Sequence, residues 1–427
     1  MNDDAEATTR GKDLTAVRRD LHRHPEEGWT EFRTTALVAA ELDDRGFDLH
    51  LGSEAVAADE RLGVPSDDDI AAARARARRE GAPTDYLDRM GDVTGLVAVK
   101  AYGDGSGPVV GLRVDVDALA RQEATDDDHR PAREGFGSTH PGEMHACGHD
   151  GHTAIGLGVA RELDANGGFD GTLKLFFQPA EEGGRGGLPM SRTAHLDDVD
   201  HLLAVHLGLG AETGTVVAGY ERPLSNAKLD VTFSGEPAHA GGEPNAGRNA
   251  MQALATAVQN LYAIPRHADG ATRVNVGMVE SANAQNVISE AATMRVEVRG
   301  ETAALNEYVL DAAHRVLDAA ADMHDCEVET ALYGKTTTFE CDPEMVAAVR
   351  DAAGGVDGVT DVVDHRPFGG SEDASYLVRR VQEAGGTATY VGVGASNPAG
   401  HHTAYFDIDE ASLDIGVGVL AGTVRSL

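Results

Sequence analysis

The chain has 427 residues, 41% of them apolar, enough for a large core and most naturally for two domains. Its formal charge of −35 excludes a surface built for nucleic acid or anionic membranes, which such a field would repel. No run of about 18 apolar residues is present, so no transmembrane span is expected.

The polar, acidic stretch "MNDDAEATTRGKD" has no apolar signal core, and a cytoplasmic protein is expected. Cys147, Cys326 and Cys341 are widely spaced and odd in number, which argues against a disulfide framework. The acid is spread along the whole chain and lysine is scarce. That pattern is expected of a surface adapted to high salt, where screening removes self-repulsion.

In chain order, "DLTAVRRDLHRH" and "TTALVAAELDDRGF" carry helical spacing of apolar residues. Residues 53–90 are charged, alanine-rich and helix-prone with few core candidates, so an inserted surface element is expected. The β-rich runs "PVVGLRVDVDAL", "TLKLFFQPA" and "HLLAVHLG" follow, with "HTAIGLGVARELDA" as a helix between the first two. Such alternation predicts an α/β fold with a mostly parallel sheet and sites at the strands' carboxyl ends.

From about residue 225 the pattern changes. "AKLDVTFSG" alternates as a half-buried strand does, and its exposed backbone donors mark it as an edge that could pair with a copy of itself. A helix over "NAGRNAMQALATAVQNLYAI", the strands "TRVNVGMVE" and "ATMRVEVRG", and a helix near 303–322 complete an α+β sandwich. Helix–strand alternation resumes after about 336. The expected organisation is therefore a catalytic α/β domain over 1–224 and 336–427, with an inserted α+β lid or dimerisation domain over 225–335.

The stretch "MHACGHDGH" packs three histidines, a cysteine and an aspartate into nine positions. A single histidine or cysteine is more often structural, but matching groups recur at later strand ends. These are Glu181 and Glu182 after "FFQPA", His206 in "LLAVHLG", and His401 and His402 in "GHHTAYFD". Thiolate, imidazole and carboxylate are the side chains that bind divalent ions such as zinc or manganese. Five ligands are too many for one tetrahedral ion but suit two ions sharing a bridge, which a thiolate can form. Of two adjacent glutamates at a strand end, one can bind metal while the other serves as general base.

In order, "GLRVDVDAL", "MHACGHDGHTA", "FFQPAEEGG", "AHAGGEPNAGRNA", "NVISE", "GGSEDAS" and "HHTAYFDIDE" resemble the motifs of the M20 metallopeptidases. The resemblance runs from about Asp20 to the C-terminus and lies in the branch of hippurate and indole-acetyl-amino-acid hydrolases. "HRPAREGF", the insert near 60–90 and "AGHH" are similar to the aminobenzoyl-glutamate hydrolases of that branch.

The resemblance implies Cys147, His149, Glu182, His206 and His402 as ligands of two divalent metal ions per protomer, Mn2+ or Zn2+, with Glu181 as the catalytic base. His402 is preferred to His401 because it stands four before Phe406. Asp115 or Asp150 is expected to orient His149 through its second ring nitrogen. His239, Asn286 and Arg299 are implied as substrate-binding residues, His239 reaching towards a partner's site.

The implied reaction is hydrolysis of an N-acyl or N-aroyl amino acid, aminobenzoyl-glutamate being the favoured example. The implied assembly is a homodimer, or a heterodimer with a related subunit. The alternatives are a metallo-carboxypeptidase or aminoacylase, a thiol hydrolase using Cys147, and a non-catalytic metal-binding subunit.

Overall fold

A computed structural model describes residues 7–281 and 283–427. Its twelve strands among those residues are, in chain order, β1 (Asp48–Leu51), β2 (Leu96–Tyr102), β3 (Val109–Asp115), β4 (Gly171–Gln178), β5 (His201–Leu207), β6 (Thr215–Glu221), β7 (Ser225–Ser234), β8 (Thr272–Glu280), β9 (Ala291–Gly300), β10 (Glu327–Thr336), β11 (Asp361–Pro367) and β12 (Thr387–Val393). They form two sheets, in two compact units.

The first unit comprises Met1–Glu221, Phe339–Phe368 and Asp373–Leu427. Its eight-stranded sheet has the order β1-β2-β4-β3-β5-β12-β6-β11. The central run β4-β3-β5-β12 is parallel, whereas β1 and β2 run antiparallel to their neighbours and β6 runs antiparallel to β12. Both faces of the sheet are covered. Phe176 and Phe177, consecutive on β4 and therefore on opposite faces, are each buried.

The helix His149–Asn166 packs against Leu14–Arg23 and Ala411–Ser426. Its glycines are explained by that closeness, since a Cβ on Gly158 would stand 2.3 Å from Val417 Cγ2. The insert is less superficial than its composition suggests. Ile70, Ala73 and Ala77 on the helix Asp67–Arg79, with Val56, Leu87 and Met90, join the core of this unit. Ile70, Ala73 and Ala77 at i, i+3 and i+7 form a narrow apolar stripe, and its two alanines allow close approach.

The second unit comprises Arg222–Thr338 and Gly369–Glu372. Its sheet, in the order β10-β7-β9-β8, is antiparallel throughout, and the helices Ala250–Tyr262 and Ala303–Met323 pack on it. Ala227, Leu229, Val231 and Phe233 are buried as the alternation of β7 requires. The expectation of an edge position is corrected, because β7 pairs with β9 on one side and β10 on the other. The edges are β8 and β10. The helix after β7 begins at Ala250 rather than near 245. Asn249 caps it by accepting the Gln252 N–H, and a Cβ on Gly247 in the preceding turn would lie 2.8 Å from Ile288 Cδ1.

Candidate metal centre

The parallel run of the first sheet brings four chain segments together beyond its carboxyl ends. Strand β3 leads into Asp115 and Asp117, and β4 into the turn Pro179–Glu182. Strand β5 carries His206 near its end, and the segment after β12 presents His401 and His402. Cys147 and His149 flank Gly148, whose φ of +93° turns the chain into the helix His149–Asn166. His402 itself has φ +63°, and its N–H is tied at 2.7 Å to the Ala146 carbonyl beside Cys147. That backbone form sends the two final histidines to different neighbours.

Cys147 is common to two groups of donors. Cys147, His149 and Glu182 offer donor atoms within 4.8 Å of one another, and so do Cys147, His206 and His401. Cys147 Sγ lies 3.5 Å from His206 Nε2, and His402 Nε2 lies 3.3 Å from Glu182 Oε1. The tautomers suit ligation. His206 Nδ1–H donates to the Leu207 carbonyl at 2.8 Å, which leaves Nε2 as a lone pair towards Cys147. His149 Nδ1 faces Asp117 Oδ1 at 3.2 Å, and its Nε2, although buried, has no hydrogen-bond partner. Glu182 Oε1 is likewise buried, and its contact is His402 Nε2.

The electrostatics of the cluster call for positive charge. Burial pushes the Cys147 thiol up, and the Glu182 carboxylate adds to the effect. Contacts with Cys147 and Glu182 raise His402 to about 10, so a proton on His402 neutralises donors that a cation would otherwise neutralise. Burial instead lowers His401 to about 4; its Nε2 lies 3.2 Å from the Leu207 carbonyl. Both histidines therefore reach the cluster, His402 beside Glu182 and His401 beside His206.

Around the donors lies a shell of buried carboxylates. Asp117 accepts the N–H of Glu181 at 3.0 Å and of Glu182 at 2.9 Å while holding His149. The expectation that Asp115 or Asp150 orients His149 is corrected in favour of Asp117. Asp115 stands 3.7 Å from His149 Nε2 but is engaged by Arg113 at 2.8 Å and His152 Nδ1 at 2.5 Å. Asp150 turns the other way, to Arg18 and His22 at 2.7 and 2.8 Å.

Of the three histidines in "MHACGHDGH", only His149 belongs to a donor group with Cys147. His152 Nε2 accepts the Leu207 N–H at 2.8 Å, and burial lowers His145 to about 4. The signal for Asp117 was present in "DVD": alternate residues at a strand end share a face.

His239, Asn286 and Arg299 belong to the second unit. The first two are exposed neighbours, since His239 bridges Val287 and the Ala240 N–H bonds the Asn286 carbonyl at 3.0 Å. His239 Nδ1 accepts the N–H groups of Gly241 and Gly242 at 3.1 and 2.9 Å, which leaves Nε2 to carry the proton. Arg299 forms a two-pronged pair with Glu297, both contacts at 2.9 Å.

The sulfur, nitrogen and oxygen donors, with His149 Nε2 buried and without a hydrogen bond, fit divalent cations. An α/β sheet with such a cluster at its strand ends is the architecture of a metal-dependent hydrolase. The chain belongs to peptidase family M20/M25/M40, whose profile matches residues 111–426.

It is 46% identical over 414 residues to an indole-3-acetyl-aspartic acid hydrolase of Enterobacter agglomerans, covering 96% of this chain and 95% of the relative. It is 44% identical to a p-aminobenzoyl-glutamate hydrolase subunit of Escherichia coli strain K12, covering 96% and 94%. The crystal structure of an aminobenzoyl-glutamate utilization protein from Klebsiella pneumoniae superposes with a TM-score of 0.83 at 39% identity, covering 97% and 95%. No helix among the described residues is long and apolar enough to cross a membrane.

Proposed function

We propose that the chain is a two-metal amidohydrolase that cleaves the amide of N-acyl or N-aroyl amino acids, with aminobenzoyl-glutamate as the favoured substrate. The observation that carries this reading is Cys147 shared between two donor groups, one with His149 and Glu182 and one on the His206 side. Cys147, His149, Glu182, His206 and His402 would hold the two ions, Mn2+ or Zn2+. Bound cations of this kind acidify water and polarise an amide carbonyl.

The chain's own residues then do the rest. The Glu181 carboxylate takes the proton from the attacking water and returns it to the departing nitrogen. Asp117 fixes the His149 ring and the amides of Glu181 and Glu182. His239 is proposed to polarise the scissile carbonyl in a partner's site, Asn286 to line the substrate site, and Arg299 to take the substrate carboxylate. The proposed enzyme is cytoplasmic and pairs with itself or with a related partner; the name of the Escherichia coli relative, a hydrolase subunit, supports a partner.

The test is an assay of the purified chain against a panel of acyl-amino acids, before and after chelation. Loss of hydrolysis on chelation, with recovery on adding Mn2+ or Zn2+, is the expected result. Activity that survives chelation but not thiol alkylation would assign the chemistry to Cys147 as a nucleophile. Two bound ions without hydrolysis of any member of the panel would make the chain a non-catalytic subunit.

A further inference from the structure

Glu31 stands outside every motif considered above, yet it is fully buried and ends on the turn that carries Glu181 and Glu182. Its Oε1 accepts the Ala180 N–H at 2.7 Å, across 149 residues of chain, and its Oε2 lies 2.6 Å from Thr94 Oγ1. The next two amides, of Glu181 and Glu182, go to Asp117. Three consecutive backbone donors that belong to no strand or helix are thus received by two buried carboxyl groups.

The turn needs such support. Ala180 has φ +52°, a left-handed form that a residue with a Cβ avoids. It is also pressed from one side, since a Cβ on Gly28 would stand 2.9 Å from its Cα.

The geometry points to Glu31 as a positioning residue for the hydrolysis: by holding the Ala180 amide it keeps the turn left-handed, and so sets where the Glu181 and Glu182 side chains go. The inference rests on the base and ligand roles proposed for those two residues. Glutamine in place of Glu31 keeps a carbonyl oxygen opposite the Ala180 N–H and sets an amide NH2 opposite Thr94 Oγ1. Burial, with Asp117 nearby, already pushes the Glu31 carboxyl up to about 8, so a neutral isostere disturbs little at neutral pH. Alanine removes the acceptor and releases the turn.

The experiment compares Glu31→Gln, Glu31→Ala, Thr94→Val and the double variant Glu31→Ala/Ala180→Gly for kcat, KM, bound metal and metal affinity. Glu31→Gln should stay within about threefold of the parent. Glu31→Ala should lose roughly 100-fold in kcat, the scale of a 1 Å misplacement, with KM changed less than about threefold and metal bound more weakly. Glycine adopts φ +52° without strain, so the double variant should recover about tenfold.

Thr94→Val frees the second oxygen and should lower kcat by about fivefold, which keeps the test open if Glu31→Ala does not fold. Parental kcat and metal affinity in both Glu31→Ala and Thr94→Val would overturn the inference. So would equal losses in Glu31→Gln and Glu31→Ala, or no recovery in the double variant. Metal affinity needs no substrate, so a parent chain that hydrolyses nothing would sink the proposed activity and leave this inference readable.

Discussion

The tasks proposed for the adjacent carboxylates Glu181 and Glu182 are separable by substitution. Glu181→Gln removes the proposed proton carrier but no ligand, so metal content and melting temperature should hold while kcat falls on the order of 10²–10⁴-fold. Loss of metal together with activity, measured by elemental analysis of the purified variant, would reverse the roles of Glu181 and Glu182.

Cys147→Ser tests the metal-holding role proposed for Cys147. A hydroxyl is a poor substitute for a thiolate that cations keep deprotonated, so occupancy should drop and excess metal should restore part of the turnover. Complete inactivity with both positions filled would instead favour thiol chemistry. The cluster around these residues was legible because its donors come in local groups: Cys147 with His149, Glu181 with Glu182, His401 with His402. Glu31 was not, because what it meets is a backbone amide 149 residues away, and no side-chain pattern encodes that contact.

At the scale of elements, the start of the helix His149–Asn166 is anchored by a buried charged network rather than by a capping side chain. Asp150 binds Arg18 and His22, and His22 Nε2 also meets Glu123 at 2.9 Å, which His129 Nε2 reaches at 2.8 Å. Burial alone would raise the Glu123 carboxyl; hydrogen bonds from His129 and His22 outweigh it and hold it down at about 2.

A carboxyl depressed on folding stabilises the native state above its unfolded pKa of about 4.3, and that contribution fades as the pH falls through 2. Glu123→Gln should therefore cost on the order of 3 kcal/mol in urea melts at pH 7, with the gap narrowing between pH 4 and 2. An equal gap at pH 7 and pH 2 would mean that Glu123 is not held ionised.

The parallel core strands were legible from their apolar runs, and β7 from its alternation. The place of β7 in its sheet was not, because its neighbour β10 returns only after two helices and two further strands. Strand β11, "DVVDHRP", has no buried residue to betray it, as an exposed edge strand often does not.

The whole molecule carries a charge of −35, with lysine scarce and acid spread along the chain. At about 0.1 M salt the Debye length is about 10 Å, and at 1 M about 3 Å. Self-repulsion across the surface should therefore be largely removed only at molar salt. The melting temperature should climb as KCl is raised from about 0.1 to 2 M, and kcat should follow it. A chain equally stable in dilute buffer would show that its acid serves some purpose other than solvation in brine.

The donors proposed for the metal centre run from Cys147 to His402, 255 positions apart. Drawing such remote segments together requires closing long loops, and strands that pair in parallel across crossovers do so slowly. A nascent chain therefore has Cys147 and His149 ready long before the final histidines leave the ribosome, and a cation captured early would meet only part of its cage. The cations should instead enter a chain already folded, so that added Zn2+ raises resistance to unfolding without quickening refolding. Scarcity of metal during growth would then yield a folded, dormant enzyme that can be awakened later, rather than misfolded debris.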